Sequence, residues 1–222
     1  DGKLYTRSGD KEGIRTVLQE LVANGAPENI LWSWRPHIGS NLLPKVVQSI
    51  CQKVQDHPSG EVRFGARVEA ILTQTPENSS GEGSNGPPSV TGVKLADGST
   101  LDADAVVLAT GHSALDSVVM ARHAGAKLEA KGFAMGVRVE HPQAWLDKHQ
   151  YHDHEAISKL PPSFYELATQ INERGVYSFC MCPGGWIVPS QTEPGALVVN
   201  GMSLSKRDSE FANSGIVVEI KP

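Results

Sequence analysis

Two cysteines that are separated by a single residue carry the clearest chemical potential of this sequence. Cys180 and Cys182 lie in the segment GVYSFCMCPGG, which predicts a strand, and residues i and i+2 of a strand point to the same face. The side chains would be either a redox-active thiol pair or small buried hydrophobic groups, and buried packing is the simpler interpretation. A strand holds such neighbours too far apart for an easy disulfide. No C-x₂-C or H-x₃-H spacing lies nearby, so we expect no metal site.

Two histidines supply further candidate groups for catalysis or ligand contact. His37 lies in the segment RPHIG, where Arg35 and His37 could orient an anionic substrate or a cofactor. His112 directly follows the tripeptide Ala109-Thr110-Gly111 and would either contact a bound phosphate or pack as a polar group in a turn. The candidate catalytic residues are therefore His37, His112, Cys180 and Cys182.

Three closely spaced histidines resemble a metal cluster. His149, His152 and His154 lie in the segment KHQYHDHE. Nothing in this pattern fixes the geometry of their side chains, so we interpret the segment as a solvated loop.

A glycine-rich stretch contains the spacing of a dinucleotide-binding fingerprint. Gly81, Gly83 and Gly86 form a literal G-x-G-x-x-G within GEGSNG. The fingerprint works when a buried strand precedes the glycines and a helix follows them, because the N-terminus of the helix then faces the phosphates. Here Ser, Asn and Pro residues flank the glycines. The sequence therefore predicts an exposed loop rather than a phosphate cradle.

Composition limits the class of the protein. The chain has 222 residues, of which 39% are hydrophobic and 20% are charged, as is typical of a globular protein with one large or two small domains. A net charge of −5 argues against a nucleic-acid surface. No apolar run approaches the ~20 residues of a membrane span. The three cysteines do not form a secreted disulfide framework, so we expect a reducing intracellular compartment.

Periodicity predicts helices and strands in a mixed α/β order. Helices are expected over 10–25, over 115–124, and in a segment that begins with Ser40 as N-cap and has Pro44 in its first turn. In these segments apolar residues recur at helical spacing or a cap residue precedes them. Alternating or continuous apolar runs predict strands over 62–64, 67–73, 90–95, 100–102, 105–109, 133–140, 164–171, on both sides of Pro183-Gly184-Gly185, and in the segments GALVVNGMS and SGIVVEI. The run 105–109 is expected to be a strand that is buried on both faces.

The predicted strand 105–109 ends in a recognisable tripeptide. Ala109-Thr110-Gly111 follows this strand and the preceding hairpin. This order resembles the two-dinucleotide-binding flavoproteins of the glutathione-reductase type. The resemblance implies that Thr110 caps the end of the strand and that Gly111 lets the backbone turn away beside the cofactor. It also implies that the backbone near Val68 contacts the adenine.

Other segments carry a closer resemblance. The sequence is similar to the NAD(P)/FAD-dependent oxidoreductases, often called FAD-dependent dehydrogenases, which occur in bacteria and in plastids. The similar segments are DGKLYTR, PHIG, GFAMGVRVEHPQ, GVYSFCMCPGG, VVNGMS and RDSEFANS. The resemblance implies FAD as the cofactor, NAD(P)H as a candidate electron donor, and hydride or electron transfer with an unspecified small-molecule substrate. It implies a cytoplasmic location, or the plastid stroma in a plant or alga.

The resemblance also implies a site and a domain plan. Expected cofactor contacts are Gly2, Lys3, Val68, Thr110, Gly111, His112, Pro183, Gly184 and Gly185. If Cys180 and Cys182 are a redox-active thiol pair rather than buried packing groups, they would face the flavin. Residues 1–60 would be a helical segment leading to the FAD domain, 61–112 would be strands of a glutathione-reductase-type FAD domain, and 113–222 an antiparallel substrate domain.

Such flavoproteins also carry an N-terminal G-x-G-x-x-G unit and a late acidic FAD motif. Neither is recognisable in this chain, so we expect a central fragment that binds no FAD and has no activity by itself. The alternative is a non-catalytic module on a flavoprotein-like scaffold that binds a protein partner.

Overall fold

The computed structural model describes residues 2–6, 8–75, 88–152, 155, 157–193 and 195–222. The G-x-G-x-x-G stretch and His154 lie outside these residues.

The helices are α1 (Lys11–Ala23), α2 (Leu43–Asp56), α3 (Leu115–His123) and α4 (Gln143–Tyr151). The strands are β1 (Val68–Gln74), β2 (Ser89–Leu95), β3 (Thr100–Asp102), β4 (Phe133–Pro142), β5 (Ala168–Ile171), β6 (Arg174–Cys182), β7 (Gly185–Glu193), β8 (Ala196–Ser203) and β9 (Phe211–Ile220). Short 3₁₀ turns lie at Glu28–Leu31 and Ile157–Lys159.

The chain folds as two compact units. One unit contains Asp1–Val62 and Lys131–Pro222, and the other contains Arg63–Ala130. These bounds differ from the three segments expected from the sequence, and the roles assigned to those segments stay predictions. No helix among the described residues has the length and apolarity that crossing a membrane requires.

Helix α1 begins at a side-chain cap, as its sequence predicts. The Asp10 carboxylate accepts a hydrogen bond from the Gly13 N–H at 2.9 Å, which satisfies one of the free donors of the first turn. The helix ends at Asn24, whose side-chain amide donates to the Glu20 carbonyl at 2.8 Å.

Helix α2 begins later than the sequence predicts. Its N-cap is Leu42, and Pro44 lies in the first turn, where a proline costs no hydrogen bond. Ser40 is not the N-cap, because its buried Oγ forms no hydrogen bond with the described residues, whereas its N–H donates to the Ser203 carbonyl at 3.1 Å. A small core of Ala26, Ile30, Ile38 and Val46 lies between these helices.

Two antiparallel sheets complete the first unit. One has the strand order β4-β9-β6-β5, and the other pairs β7 with β8. A second small core of Leu146, Met181 and Ala212 lies under helix α4. The predicted strand over 164–171 is confirmed only for Ala168–Ile171.

The second unit holds the sheet β1-β2-β3 and helix α3. A tight turn at Asp97 and Gly98 joins β2 to β3 as predicted, since the Gly98 N–H donates to the Leu95 carbonyl at 3.0 Å. Four helices and antiparallel sheets confirm the predicted mixed α+β class.

Two of the predicted strands are wrong. Residues 62–64 are irregular, and so are residues 105–109. In the second case Val107 is 89% exposed and Leu108 is 42% exposed. The physical reason is that an apolar run becomes a buried strand only beside strands that complete its backbone hydrogen bonds, and none of the described strands pairs with this segment.

Candidate functional site

Strand β6 changes its geometry where its two cysteines lie. Its register against β9 advances from the pair Phe179 and Gly215 to the pair Cys182 and Asn213, so β6 carries one extra residue in a β-bulge. Cys180, within this bulge, has a left-handed φ of 48°, which is uncommon for a residue with a side chain. The spacing rules of a regular strand, on which the sequence prediction relied, therefore do not apply to this thiol pair.

Lys3 brings a positive charge to both thiols. Its Nζ donates to Cys182 Sγ at 2.7 Å and to Cys180 Sγ at 3.4 Å. A β-bridge between Lys3 and His37 positions this lysine. The bridge is held by the Ile38 N–H, which donates to the Gly2 carbonyl at 2.9 Å. The predicted site residues Lys3, His37, Cys180 and Cys182 thus lie together.

Arg138 of strand β4 adds a second cation on this cluster. Its Nη1 donates to the Cys180 carbonyl at 3.1 Å and to Asn213 Oδ1 at 2.6 Å, and it lies 3.9 Å from Cys182 Sγ. Gly201 closes the cluster, because a Cβ atom there would collide with Arg138 Nη1, Asn213 Oδ1 and Cys182 Sγ. We name Lys3, Arg138, Cys180, Cys182 and Asn213 the thiol cluster.

The thiol cluster favours one thiolate in the pair. A hydrogen bond from the Cys182 thiol lowers the pKa of Cys180, and the positive charges of Lys3 and Arg138 lower it further. The same hydrogen bond raises the pKa of Cys182, because this thiol must keep its proton in order to donate. These opposite directions favour a thiolate at Cys180 and a protonated thiol at Cys182.

His37 is a neutral group beside this cluster. Burial, followed by the charge of Arg207, lowers the pKa of His37 to about 4. Its Nε2 lies 3.2 Å from the Leu204 carbonyl, which only accepts, so the ring proton is on Nε2. Its Nδ1 is buried and finds no hydrogen-bond partner among the residues that the structure describes. Nδ1 is therefore the acceptor atom of the neutral ring.

Arg35 is engaged elsewhere. Its guanidinium forms an ion pair with Glu166 at 2.7 Å and lies 3.7 Å from the centre of the Phe164 ring. These contacts place it in a surface interaction, and the structure does not join it to the thiol cluster.

The glycine turn predicted to contact a cofactor is buried. Pro183, Gly184 and Gly185 are all buried. The Gly184 N–H donates to the Gln143 side chain at 2.9 Å. Gly184 has a left-handed φ of 49°, and a Cβ atom there would collide with the Arg207 carbonyl.

The remaining predicted contacts belong to the second unit. Val68 is the first residue of β1 and pairs with Leu95. Thr110, Gly111 and His112 are exposed, and Gly111 has a left-handed φ of 80°, as expected for a residue at which the backbone turns sharply.

No metal centre is formed by the described residues. No group of three or more His, Cys, Asp or Glu side chains lies close enough together there to hold an ion. His149 Nδ1 lies 2.7 Å from the Trp145 carbonyl, and His152 caps helix α4.

Sequence reasoning missed Arg138, Asn213 and Gly201. The one local signal was a charged residue within the apolar strand segment GFAMGVRVEHPQ. The contacts themselves join residues far apart in the chain, and no spacing rule predicts them.

The C-terminal part of the chain is similar to a known protein family. Residues 132–222 match the family described as "FAD-dependent protein, C-terminal domain-like". The whole chain is similar to a protein described as "Uncharacterized protein" from Clostridium beijerinckii, with 38% identity over 224 residues. The match covers 100% of this chain and 39% of that protein. These similarities support an FAD-dependent family at a coarse level.

The buried donors of the first unit fit such a cofactor. Arg207 Nε and Nη2 and Asn213 Nδ2 are buried and lack hydrogen-bond partners among the described residues. A buried donor without a partner is costly, and the oxygen and nitrogen atoms of a flavin ring are hydrogen-bond acceptors. The donor set therefore suits an acceptor-rich ring.

Proposed function

We propose that this chain is part of an FAD-dependent oxidoreductase that transfers a hydride or electrons through FAD. The observation that carries this proposal is the thiol cluster, in which Lys3 contacts both Cys180 and Cys182. Two of its residues lie on a strand of the region that is similar to FAD-dependent proteins. When bound, FAD would supply two-electron chemistry that amino-acid side chains lack.

The residues of this chain would bind and orient the cofactor. Gly2 and Lys3 are the proposed contacts within the first unit. The contacts predicted at Val68, Thr110 and Gly111 belong to the second unit and stay predictions. The Lys3 ammonium would stabilise negative charge on a bound group, and His37 would accept a hydrogen bond at Nδ1. We further propose NAD(P)H as an electron donor and a reducing compartment, in which Cys51, Cys180 and Cys182 stay reduced.

The chain spans 39% of the length of its relative, so the proposal concerns the full-length protein. Its test is calorimetric titration of FAD into flavin-free full-length protein. We expect one FAD per chain with micromolar or tighter affinity.

A matched pair of lysine variants sharpens this test. Lys3→Met should weaken FAD binding by about tenfold, which corresponds to about 1.4 kcal/mol. Lys11→Met, on the exposed face of helix α1, should leave the affinity unchanged. Absence of binding to the wild-type protein would refute the proposal.

The alternative function, a protein-binding module without flavin, is favoured by one observation. The apolar segment 105–109 is exposed at Val107 and Leu108, and exposed apolar segments often contact a partner. A full-length protein that stays colourless and takes up no FAD would support this alternative.

A further inference from the structure

The thiol cluster has a use that goes beyond flavin binding. We propose that Cys180 and Cys182 form a dithiol–disulfide couple that reduces small-molecule disulfides, with Cys180 as the attacking thiol and Cys182 as the resolving thiol. The exchange needs no flavin, so this inference does not depend on the proposed function.

The bulge makes a disulfide between these residues accessible. In a regular strand, residues i and i+2 are separated by about 6.6 Å and their side chains run parallel, which is near the upper limit for a disulfide. At Cys180 the backbone leaves the strand conformation, with a φ of 48°. Both sulfur atoms contact the same ammonium, since Lys3 Nζ lies 2.7 Å from Cys182 Sγ and 3.4 Å from Cys180 Sγ. The bulge therefore turns both thiols toward one point, as closure of an S–S bond requires.

The surroundings of the two thiols assign their roles. Cys180 is half-buried, whereas Cys182 is fully buried at 0% exposure. An incoming disulfide therefore reaches Cys180 first. Lys3 and Arg138 hold positive charge around the pair, which favours a thiolate, the form that attacks a disulfide. Unusual backbone geometry at the attacking residue fits a functional site.

The exchange has two steps. The Cys180 thiolate attacks one sulfur of the substrate R–S–S–R, the substrate S–S bond breaks, and R–S⁻ leaves as a mixed disulfide forms on Cys180. Cys182 then loses its proton to R–S⁻ or to water and attacks Cys180 Sγ, which releases the second R–S⁻. Two thiols are oxidised to one disulfide, and one substrate disulfide is reduced to two thiols.

The third cysteine must be replaced before the thiolates released by this pair can be counted. Cys51 lies on helix α2 and forms no disulfide, so it is a third thiol that can react with the reagent. The test therefore uses reduced full-length protein that carries Cys51→Ala, with 5,5′-dithiobis(2-nitrobenzoate) as the small disulfide.

The test measures the number of thionitrobenzoate anions released and the mass of the protein after the reaction. We expect about two thionitrobenzoate anions per chain and a protein mass about two units below that of the reduced chain, as an internal disulfide requires. With Cys182→Ser we expect one anion and a stable mixed adduct. With Cys180→Ser we expect the fast release to disappear, since the remaining thiol is buried.

The same experiment can overturn the inference. A mixed adduct that persists while both cysteines are present would show that Cys182 does not resolve it. Equal release rates for Cys180→Ser and Cys182→Ser would show that the two thiols are not differentiated. Each variant is also compared in denaturant, where both thiols should react at the same rate and confirm that the variant retains a competent cysteine.

A lysine variant tests the role of the positive charge. Lys3→Met should raise the pH at which the first release reaches half of its maximum rate, because loss of the ammonium charge raises the pKa of Cys180. Lys3→Arg should keep most of the wild-type pH profile, whereas an unchanged profile in Lys3→Met would show that the charge of Lys3 does not activate the thiol. The assay measures the absorbance of the released thionitrobenzoate. Its result therefore tests the thiol exchange even if the protein binds no FAD.

Discussion

Lys3 Nζ lies 2.7 Å from Cys182 Sγ although 179 residues separate them in the chain. The contact joins the β-bridge near the start of the chain to the bulged end of strand β6. It places a fixed cation on a thiol pair.

The first prediction concerns the reactivity of Cys180 as a function of pH. The pKa of its thiol is lowered, so it is already ionised at neutral pH. In the Cys51→Ala background, its alkylation by iodoacetamide should change little between about pH 6 and about pH 8. An ordinary thiol would react about tenfold faster for each pH unit in this range, and mass spectrometry of the labelled peptide distinguishes the two.

Two variants of Cys182 isolate the hydrogen bond that lowers this pKa. Cys182→Ser keeps a donor, whereas Cys182→Ala removes it. We expect the pKa of Cys180, followed by thiolate absorbance, to be higher in the alanine variant than in the serine variant. The same pKa in both would assign the effect to Lys3 and Arg138 alone.

The third prediction concerns Gly201, whose position leaves no room for a side chain. A Cβ atom there would lie 2.6 Å from Cys182 Sγ and would also collide with Arg138 and Asn213. Gly201→Ala should lower the free energy of unfolding by about 2 kcal/mol, as overpacking typically does. Gly9→Ala is the control, since nothing lies within 4 Å of its Cβ position. Chemical denaturation of both variants measures the difference.

How much of this structure the sequence could predict depends on the range of the interactions. Helix α1 and the turn at Asp97 and Gly98 were predictable because neighbouring residues determine them. The strand expected at 105–109 was not, because burial depends on neighbours that local patterning does not identify. The bulge at Cys180 and the contact with Lys3 arise from pairing between distant segments.

The fourth prediction concerns the pH dependence of stability that arises from His37. Its pKa is about 4 in the folded chain and about 6.5 in the unfolded chain. The unfolded chain therefore binds a proton first as the pH falls, and stability should decrease between about pH 6.5 and about pH 4. His37→Asn should show a smaller decrease over this window in urea denaturation, and an equal decrease would assign the effect to other groups.

The fifth prediction concerns the cap of helix α1. Asp10→Ala should lower the free energy of unfolding by about 1 kcal/mol, because the Gly13 N–H loses its acceptor. Asp10→Asn keeps an acceptor oxygen and should cost much less. Thermal denaturation of the two variants compares them directly.

The central claim, that this chain is part of an FAD-dependent oxidoreductase, is tested most directly by the visible spectrum of the purified full-length protein during redox titration. We expect an absorption band near roughly 450 nm, as flavins show, that dithionite bleaches and air restores, with about one FAD released per chain. A colourless protein that develops no such band after incubation with FAD would contradict the account.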